Sequence, residues 1–149
     1  LFRSKERFVN NRLSSHSSVT TEQAAYEFDS DNFDSDEDGY SNLFERATAM
    51  DSLGFNSQNA PHFLNLENGK PRISFTRFTN SLSSTGETFQ YIIQESFDLR
   101  SWRTVSLTSE NSKVIPIGGG MERVNYVAEE SPSGNTQPFL RLKVSLGGP

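Results

Sequence analysis

Apolar and polar residues alternate along the second half of the chain. In Phe139–Leu146 the apolar residues Leu140, Leu142, Val144 and Leu146 are separated by polar ones. Because successive side chains of a strand point to opposite faces, this pattern predicts a β-strand with one apolar face. Apolar segments bounded by turn-forming residues predict six further strands, at 63–66, 73–78, 89–95, 102–107, 114–117 and 124–127. About seven strands spaced by about ten residues predict a mainly β chain, an antiparallel β-sandwich of the immunoglobulin or fibronectin kind.

Residues 41–50 follow a different period. Leu43, Phe44, Ala47 and Met50 recur at helical spacing, and the pattern ends before Gly54. It predicts a short amphipathic helix that is too short to be stable in isolation. Between the first two predicted strands, Asn68-Gly69 is a strong signal for a β-hairpin.

Composition divides the chain into three regions: an N-terminal arm or linker at 1–27, an acidic segment with the predicted helix at 28–59, and the predicted sandwich at 60–149. Phe2 and Phe8 lie on a basic stretch of the arm that has no apolar core of its own. They are candidate residues of a docking arm, and the alternatives are an intramolecular or a disordered segment. Since the chain begins with Leu1 and its first residues lack the apolar core of a signal peptide, we expect a processed piece of a longer protein.

Charge is distributed unevenly over the 149 residues. The net charge is -5, yet residues 21–45 hold nine acidic residues and no Lys or Arg. This balance argues against a nucleic-acid partner. The absence of cysteine excludes disulfides and thiolate metal sites. No apolar run approaches the length of about 18 residues that a membrane span requires.

The acidic segment contains a twelve-residue pattern. Residues 34–45 read DSDEDGYSNLFE, which fits D-x-D-x-D-G-x-x-N-x-x-E. This is the spacing of a calcium loop, in which alternate oxygen ligands point inward and a glycine allows the chain to reverse. The predicted ligands are the side chains of Asp34, Asp36, Asp38, Asn42 and Glu45 and the backbone carbonyl of Tyr40. The alternative is a solvated acidic linker.

Three further carboxylates flank this loop. Asp29 and Asp31 precede it, and Asp51 follows the predicted helix. They are candidate ligands of a second ion, and the alternative is that they are solvated helix caps.

Two stretches resemble known modules. The run DSDEDGYSNLFERATAMD at 34–51 resembles the calcium segments of bacterial extracellular proteins, which are similar to dockerin and thrombospondin type 3 repeats. It differs in having Glu37 where glycine is usual, and it lacks a closing Thr-Asp-Pro. A dockerin has two such loops and this chain has one. The resemblance implies a calcium-stabilised spacer or docking element.

The strand region carries the second resemblance. FTRF at 75–78, YIIQESFDLRSW at 91–102 and PFLRLKV at 138–144 are similar to the C-terminal module of large secreted or surface proteins of Verrucomicrobia and Planctomycetes. In those proteins the module commonly follows the same calcium segment. The resemblance implies an extracellular or cell-surface location and a non-catalytic appendage.

Nothing in the residues indicates an enzyme. Neither His16 nor His62 is accompanied by a nucleophile or carboxylate motif.

Two functions stay open. The first is a calcium-stabilised structural or adhesion module, with calcium ordering the loop and its helix for docking on the sandwich, and with the arm and exposed strand edges joining copies into an oligomer, polymer or filament. The second is a carbohydrate-binding accessory module of a secreted hydrolase. That function requires an exposed row of aromatic rings, and the candidates are Trp102, Tyr26, Tyr40, Tyr91 and Tyr126. A core position is the alternative for Trp102.

Overall fold

A computed structural model describes residues 9–10, 12–15, 18, 20–50, 60–67, 70–82, 86–128 and 137–147, with only the backbone described at 27–29 and 62–67. The chain divides into two compact units. Unit 1 comprises Leu1–Arg46 and Met50–Gln58, and unit 2 comprises Ala47–Ala49 and Asn59–Pro149. The domain boundaries derived from composition stay a prediction.

The helices lie before the strands. Residues 9–10 and 12–15 are helical, α1 spans Thr21–Asp29 and α2 spans Asn42–Thr48. The helical structure before residue 30 was not expected from the sequence. Thr20 caps α1, because its Oγ1 accepts a hydrogen bond from the backbone N–H of Gln23 at 3.2 Å. Only Ala24 is fully buried in the described part of α1, so the helix lacks the apolar stripe that would reveal it in the sequence.

The described residues of unit 2 contain two antiparallel sheets, in the strand orders β1-β2-β6-β5 and β4-β3-β7. The four-stranded sheet consists of β1 (His62–Glu67), β2 (Lys70–Phe78), β5 (Ser112–Gly118) and β6 (Met121–Val127). The three-stranded sheet consists of β3 (Phe89–Ser96), β4 (Arg103–Thr104) and β7 (Phe139–Leu146). A 3₁₀ turn at Thr79–Ser81 follows β2. The prediction of a mainly β chain with antiparallel strands is therefore confirmed.

Strand positions agree with the apolar segments, with one exception. Six strands are six to nine residues long, whereas β4 has two residues in place of the predicted 102–107. One more backbone hydrogen bond, from Val105 N–H to the Ile93 carbonyl at 2.9 Å, extends its contact with β3. The hairpin between β1 and β2 is also present, because the strands pair antiparallel with Glu67 opposite Lys70.

Both sheets contribute to one apolar core. Alternate residues of β2 and β6 point into it, and Ile93 of β3 joins them. Leu140 and Leu142 of β7 pack against the same cluster, as their alternation predicted, whereas Leu146 at the end of that strand is 45% exposed. The buried members are Ile73, Phe75, Ile93, Val124, Tyr126 and Ala128.

Candidate metal site

The acidic segment lies between α1 and α2 as a closed loop. The backbone N–H of Asn42 donates to the Phe33 carbonyl at 2.7 Å, and that of Leu43 donates to the Asp31 carbonyl at 3.0 Å. These two bonds join the beginning of the loop to the first residues of α2. The residues between them therefore form one compact turn with fixed ends.

Carboxylates of the loop hold its own backbone. Asp34 accepts hydrogen bonds from the N–H of Asp38 at 3.2 Å and of Gly39 at 2.8 Å, and Asp38 accepts one from the N–H of Tyr40 at 3.0 Å. Gly39 has a φ of +97°, a conformation that residues with a side chain rarely adopt. The glycine of the motif therefore lies where the backbone requires it. Glu37 also adopts a left-handed conformation, with a φ of 62°.

Three aspartates converge inside this loop. Asp34, Asp36 and Asp38 each offer a carboxylate oxygen, and these oxygens all lie within 4.8 Å of one another. Among the described residues, Oδ2 of Asp36 is buried and has no hydrogen-bond partner. Burial, followed by the charges of Asp38 and Asp34, raises the pKa of Asp36 above its ordinary value. A cation among these oxygens would offset both effects, and the cluster could hold a metal ion.

The other three predicted ligands, Glu45, Asn42 and Tyr40, lie outside the cluster of three aspartates. Glu45 lies in α2 with a completely buried side chain, but outside the group of three mutually close carboxylates. The Asn42 side chain donates to the Ser30 carbonyl at 2.9 Å and accepts from the Ser35 hydroxyl at 2.8 Å, so it braces the base of the loop. Tyr40, whose carbonyl is the predicted ligand, stacks its ring on Phe44 at 5.2 Å. The roles of Glu45, Asn42 and Tyr40 as metal ligands stay predictions.

The candidates for a second ion are not brought together in the described residues. Asp31 accepts a hydrogen bond at 2.7 Å from Nη2 of Arg46, which gives its carboxylate a structural partner. The side chain of Asp29 and the whole of Asp51 lie outside the described residues. The second-ion site stays a prediction without further support.

Part of the N-terminal region contacts the acidic loop within unit 1. The guanidinium of Arg12 lies 5.6 Å from the centre of the Phe33 ring and 3.8 Å from the Glu37 carboxylate. Phe2 and Phe8, the candidate docking residues, lie outside the described residues.

The exposure of the aromatic side chains distinguishes a structural or adhesion module from a carbohydrate-binding module, which requires an exposed row of rings. Tyr126 is fully buried and Tyr91 is half-buried, with its hydroxyl donating to the Ala47 carbonyl within unit 2 at 2.5 Å. Trp102 is half-buried and is not among the buried core residues, and the guanidinium of Arg141 lies 3.9 Å from its ring centre. Among the described side chains, the exposed aromatic rings are Tyr26 and Phe139, one in each unit. The described residues therefore supply no exposed aromatic row.

Two acidic residues of the QESFDLRSW stretch, Glu95 and Asp98, have structural roles that were not predicted from the sequence. Asp98 accepts hydrogen bonds from the N–H of Ser101 at 2.7 Å and of Arg100 at 2.8 Å, which lower its pKa to about 2. Glu95 is fully buried and accepts from Arg103 at 2.6 and 2.9 Å and from the Tyr126 hydroxyl. The only signal in the sequence is an acidic residue placed at a core-facing position of a predicted strand.

Comparisons with protein-family models, curated proteins and solved structures gave no match. Of the helices in the described part of the chain, none has the length and hydropathy needed to cross a membrane.

Proposed function

We propose that this chain is a non-enzymatic, calcium-stabilised module with a structural or adhesive role outside the cell. The observation that carries the proposal is the convergence of Asp34, Asp36 and Asp38 in a loop of calcium-loop spacing. We further propose that the two sheets, which share one core, are the layers of an immunoglobulin-like sandwich. The calcium segment and the strand motifs, in this order along the chain, are the basis for placing it in an extracellular or surface assembly.

Calcium is the cation that fits this loop best. The three close ligands are carboxylates, and hard oxygen ligands select calcium or magnesium over zinc or copper. Calcium tolerates the irregular geometry of a flexible loop, whereas magnesium demands a near-ideal octahedron. A dication would neutralise most of the charge of three carboxylates and would give the buried Oδ2 of Asp36 a partner.

The proposed role of calcium is mechanical. Without a cation, the repulsion among three neighbouring carboxylates opposes closure of the loop. An ion that binds only the folded loop stabilises it by about 1.4 kcal/mol when its concentration is tenfold above Kd. Calcium loops of extracellular modules have Kd values of about 10⁻⁴ to 10⁻³ M, so extracellular calcium would keep the loop closed.

Terbium luminescence tests the site, because Tb³⁺ replaces Ca²⁺ and is excited by a nearby tyrosine. We expect emission on excitation at tyrosine wavelengths, with displacement by Ca²⁺. Tyr40→Phe should lose the sensitised emission yet retain calcium binding by calorimetry. Asp36→Asn should lose both. Glu22→Gln removes an exposed acid from α1 and serves as the matched control. Equal calcium affinity in Asp36→Asn and the parent chain would refute the proposed site.

A structural or adhesive module accounts better for the aromatic residues than does a platform for neutral sugars. Such a platform needs several exposed rings on one face, since sugar stacking uses the faces of aromatic side chains. In the described part of unit 2, Phe139 is the exposed ring, and Arg141 lies over Trp102. Copies of the chain would associate through the edge strands, which are β1 and β5 in one sheet and β4 and β7 in the other, because their outer backbone groups lack a strand neighbour within the described sheets.

A further inference from the structure

The three-stranded sheet of unit 2 has an outer face that is turned away from the apolar core. Ile93, Leu140 and Leu142 pack in the core, so the alternate residues of β3 and β7 point outward. None of the outward-facing residues of these two strands is acidic, whereas Arg141 and Lys143 are basic. This outer face is therefore positively charged in a chain whose net charge is -5.

Arg141 is held flat on the outer face with its terminal groups available. Its guanidinium lies 3.9 Å from the centre of the Trp102 ring, and its Nε donates to Oε1 of Gln94 at 2.9 Å. Within the part of the chain that the structure describes, its two Nη groups make no hydrogen bond or ion pair. They are the groups with which arginine binds a carboxylate. Because the side chain is already ordered, binding costs little conformational entropy.

An aromatic ring lies beside these cations. Phe139 is 50% exposed and lies two residues from Arg141, on the same face of β7. Residues at this separation in a strand are about 7 Å apart, so the ring and the guanidinium are adjacent contact points. Lys143 is exposed and extends the positive charge along the same strand. The outer face therefore presents a ring followed by two cations.

Unit 1 has a patch of opposite charge on α1. Glu22 and Tyr26 are four residues apart in this helix, so they lie on the same side of it, with Cβ atoms about 5–6 Å apart. Tyr26 is 73% exposed. Glu22 is also exposed and makes no hydrogen bond or ion pair among the described residues. The carboxylate and ring of α1 therefore match the guanidinium and ring of β7 in spacing and in charge.

We propose that α1 of one copy of the chain docks on this outer face of the next copy, with Glu22 contacting Arg141 and Tyr26 packing on Phe139. The charges favour a second copy as the partner, because residues 21–45 hold nine acidic residues and no Lys or Arg. The two patches are different surfaces, so the contact is heterologous and joins copies into an open chain or a closed ring. This contact rests on the proposed structural role, which it makes specific, but it does not depend on calcium.

Sedimentation equilibrium of the full chain tests the contact at about 0.1 M salt, where charges more than about 10 Å apart are largely screened. We expect the weight-average mass to rise with protein concentration up to about 1 mM. Arg141→Glu should weaken association at least about tenfold, because two carboxylates would then face each other. Lys113→Glu, an equal charge change on exposed β5, is the matched control and should change association by less than about twofold. Thermal melting of each variant verifies folding.

Reversal of the charge on α1 separates this contact from a general effect of net charge. Glu22→Arg makes the net charge of -5 less negative, so nonspecific association would strengthen. The proposed contact predicts the opposite, a weakening of about tenfold. The double variant Glu22→Arg/Arg141→Glu exchanges the two charges and should recover association to within about threefold of the parent chain.

Three results would overturn the contact: a parent chain that stays monomeric up to about 1 mM, equal weakening by Lys113→Glu and Arg141→Glu, or a double variant that associates no better than the single variants. Arg141→Glu should retain calcium binding, because Arg141 and the acidic loop belong to separate units. A chain that binds calcium but stays monomeric would refute this contact alone. A chain that associates without binding calcium would refute the calcium proposal alone.

Discussion

The buried carboxylate of Glu95 provides the strongest test of how unit 2 is stabilised. Glu95 is 0% exposed, and its charge is balanced by hydrogen bonds from Arg103 at 2.6 and 2.9 Å. The hydroxyl of Tyr126 donates to the other carboxylate oxygen. Arg103→Ala would leave the carboxylate buried with Tyr126 as its remaining partner within this network.

The size of the effect follows from the exposure of the two partners. Removing one member of a fully buried ion pair costs about 3–5 kcal/mol. The Arg103 side chain is 55% exposed, so water already screens part of its charge, and the Tyr126 hydrogen bond persists after the substitution. We therefore expect Arg103→Ala to lower the free energy of unfolding by about 2–3 kcal/mol. In a Glu95→Gln background, the same substitution should cost about 0.5–1 kcal/mol, because no buried charge remains.

Urea unfolding followed by Trp102 fluorescence measures these differences as shifts of the midpoint at constant m. Arg100→Ala is the matched control, because Arg100 is an exposed arginine near the same turn whose removal should change stability by less than about 0.5 kcal/mol. A cost of Arg103→Ala no larger than that of Arg100→Ala would refute the proposed role of the ion pair. So would an equal cost of Arg103→Ala in the Glu95→Gln background and in the parent chain, since the coupling would then be absent.

Three further predictions concern other parts of the chain. Glu37→Gly should raise the free energy of unfolding, measured in urea, by about 0.5–1 kcal/mol, because glycine adopts a φ of 62° without strain. Glu22→Gly in α1 should lower the free energy of unfolding and serves as the control. Failure of Glu37→Gly to stabilise the chain would contradict backbone strain at this position. Chelation of calcium should lower Tm by about 3–10 °C in calorimetry, Glu45→Gln should mimic the loss, and an unchanged melt would count against the calcium proposal. The folded-state pKa of Asp98, about 2, lies below its ordinary 3.8, so its stabilisation is complete above about pH 4 and is lost as the pH falls towards 2. The urea midpoints of the parent chain and Asp98→Asn should therefore converge between about pH 5 and about pH 2.5, and a constant difference would contradict this assignment.

Local patterns account for much of the fold. The strand alternation at Phe139–Leu146 and the helical spacing around α2 are both visible in short stretches of sequence, and both elements lie where they were predicted. The acidic loop was also recognisable, because its aspartates must alternate to point inward, and Asp34, Asp36 and Asp38 do converge. By contrast, α1 escaped recognition because a helix with one fully buried described side chain leaves almost no periodic signal.

The spacing of residues does not reveal how the candidate ligands Asn42 and Asp31 are held. Their side chains hydrogen-bond to Ser30, Ser35 and Arg46, and their roles as metal ligands stay predictions. A sequence gives the order in which donors and acceptors occur, but which of them meet depends on how the loop closes. Loop closure in turn depends on backbone bonds, such as that from Asn42 to Phe33, which no side-chain pattern encodes.

The sequence by itself determined the antiparallel strands, the short helix α2 and the loop that gathers three carboxylates. The position of each element follows from a short residue pattern, whereas the pairing of β2 with β6 and of β3 with β7 joins distant parts of the chain. Only the tertiary structure decided that Glu95 is buried beside Tyr126 and that Arg141 lies over Trp102. The physical reason is that burial and net charge at a site depend on strands brought together from distant parts of the chain, through a sheet order that local periodicity leaves open.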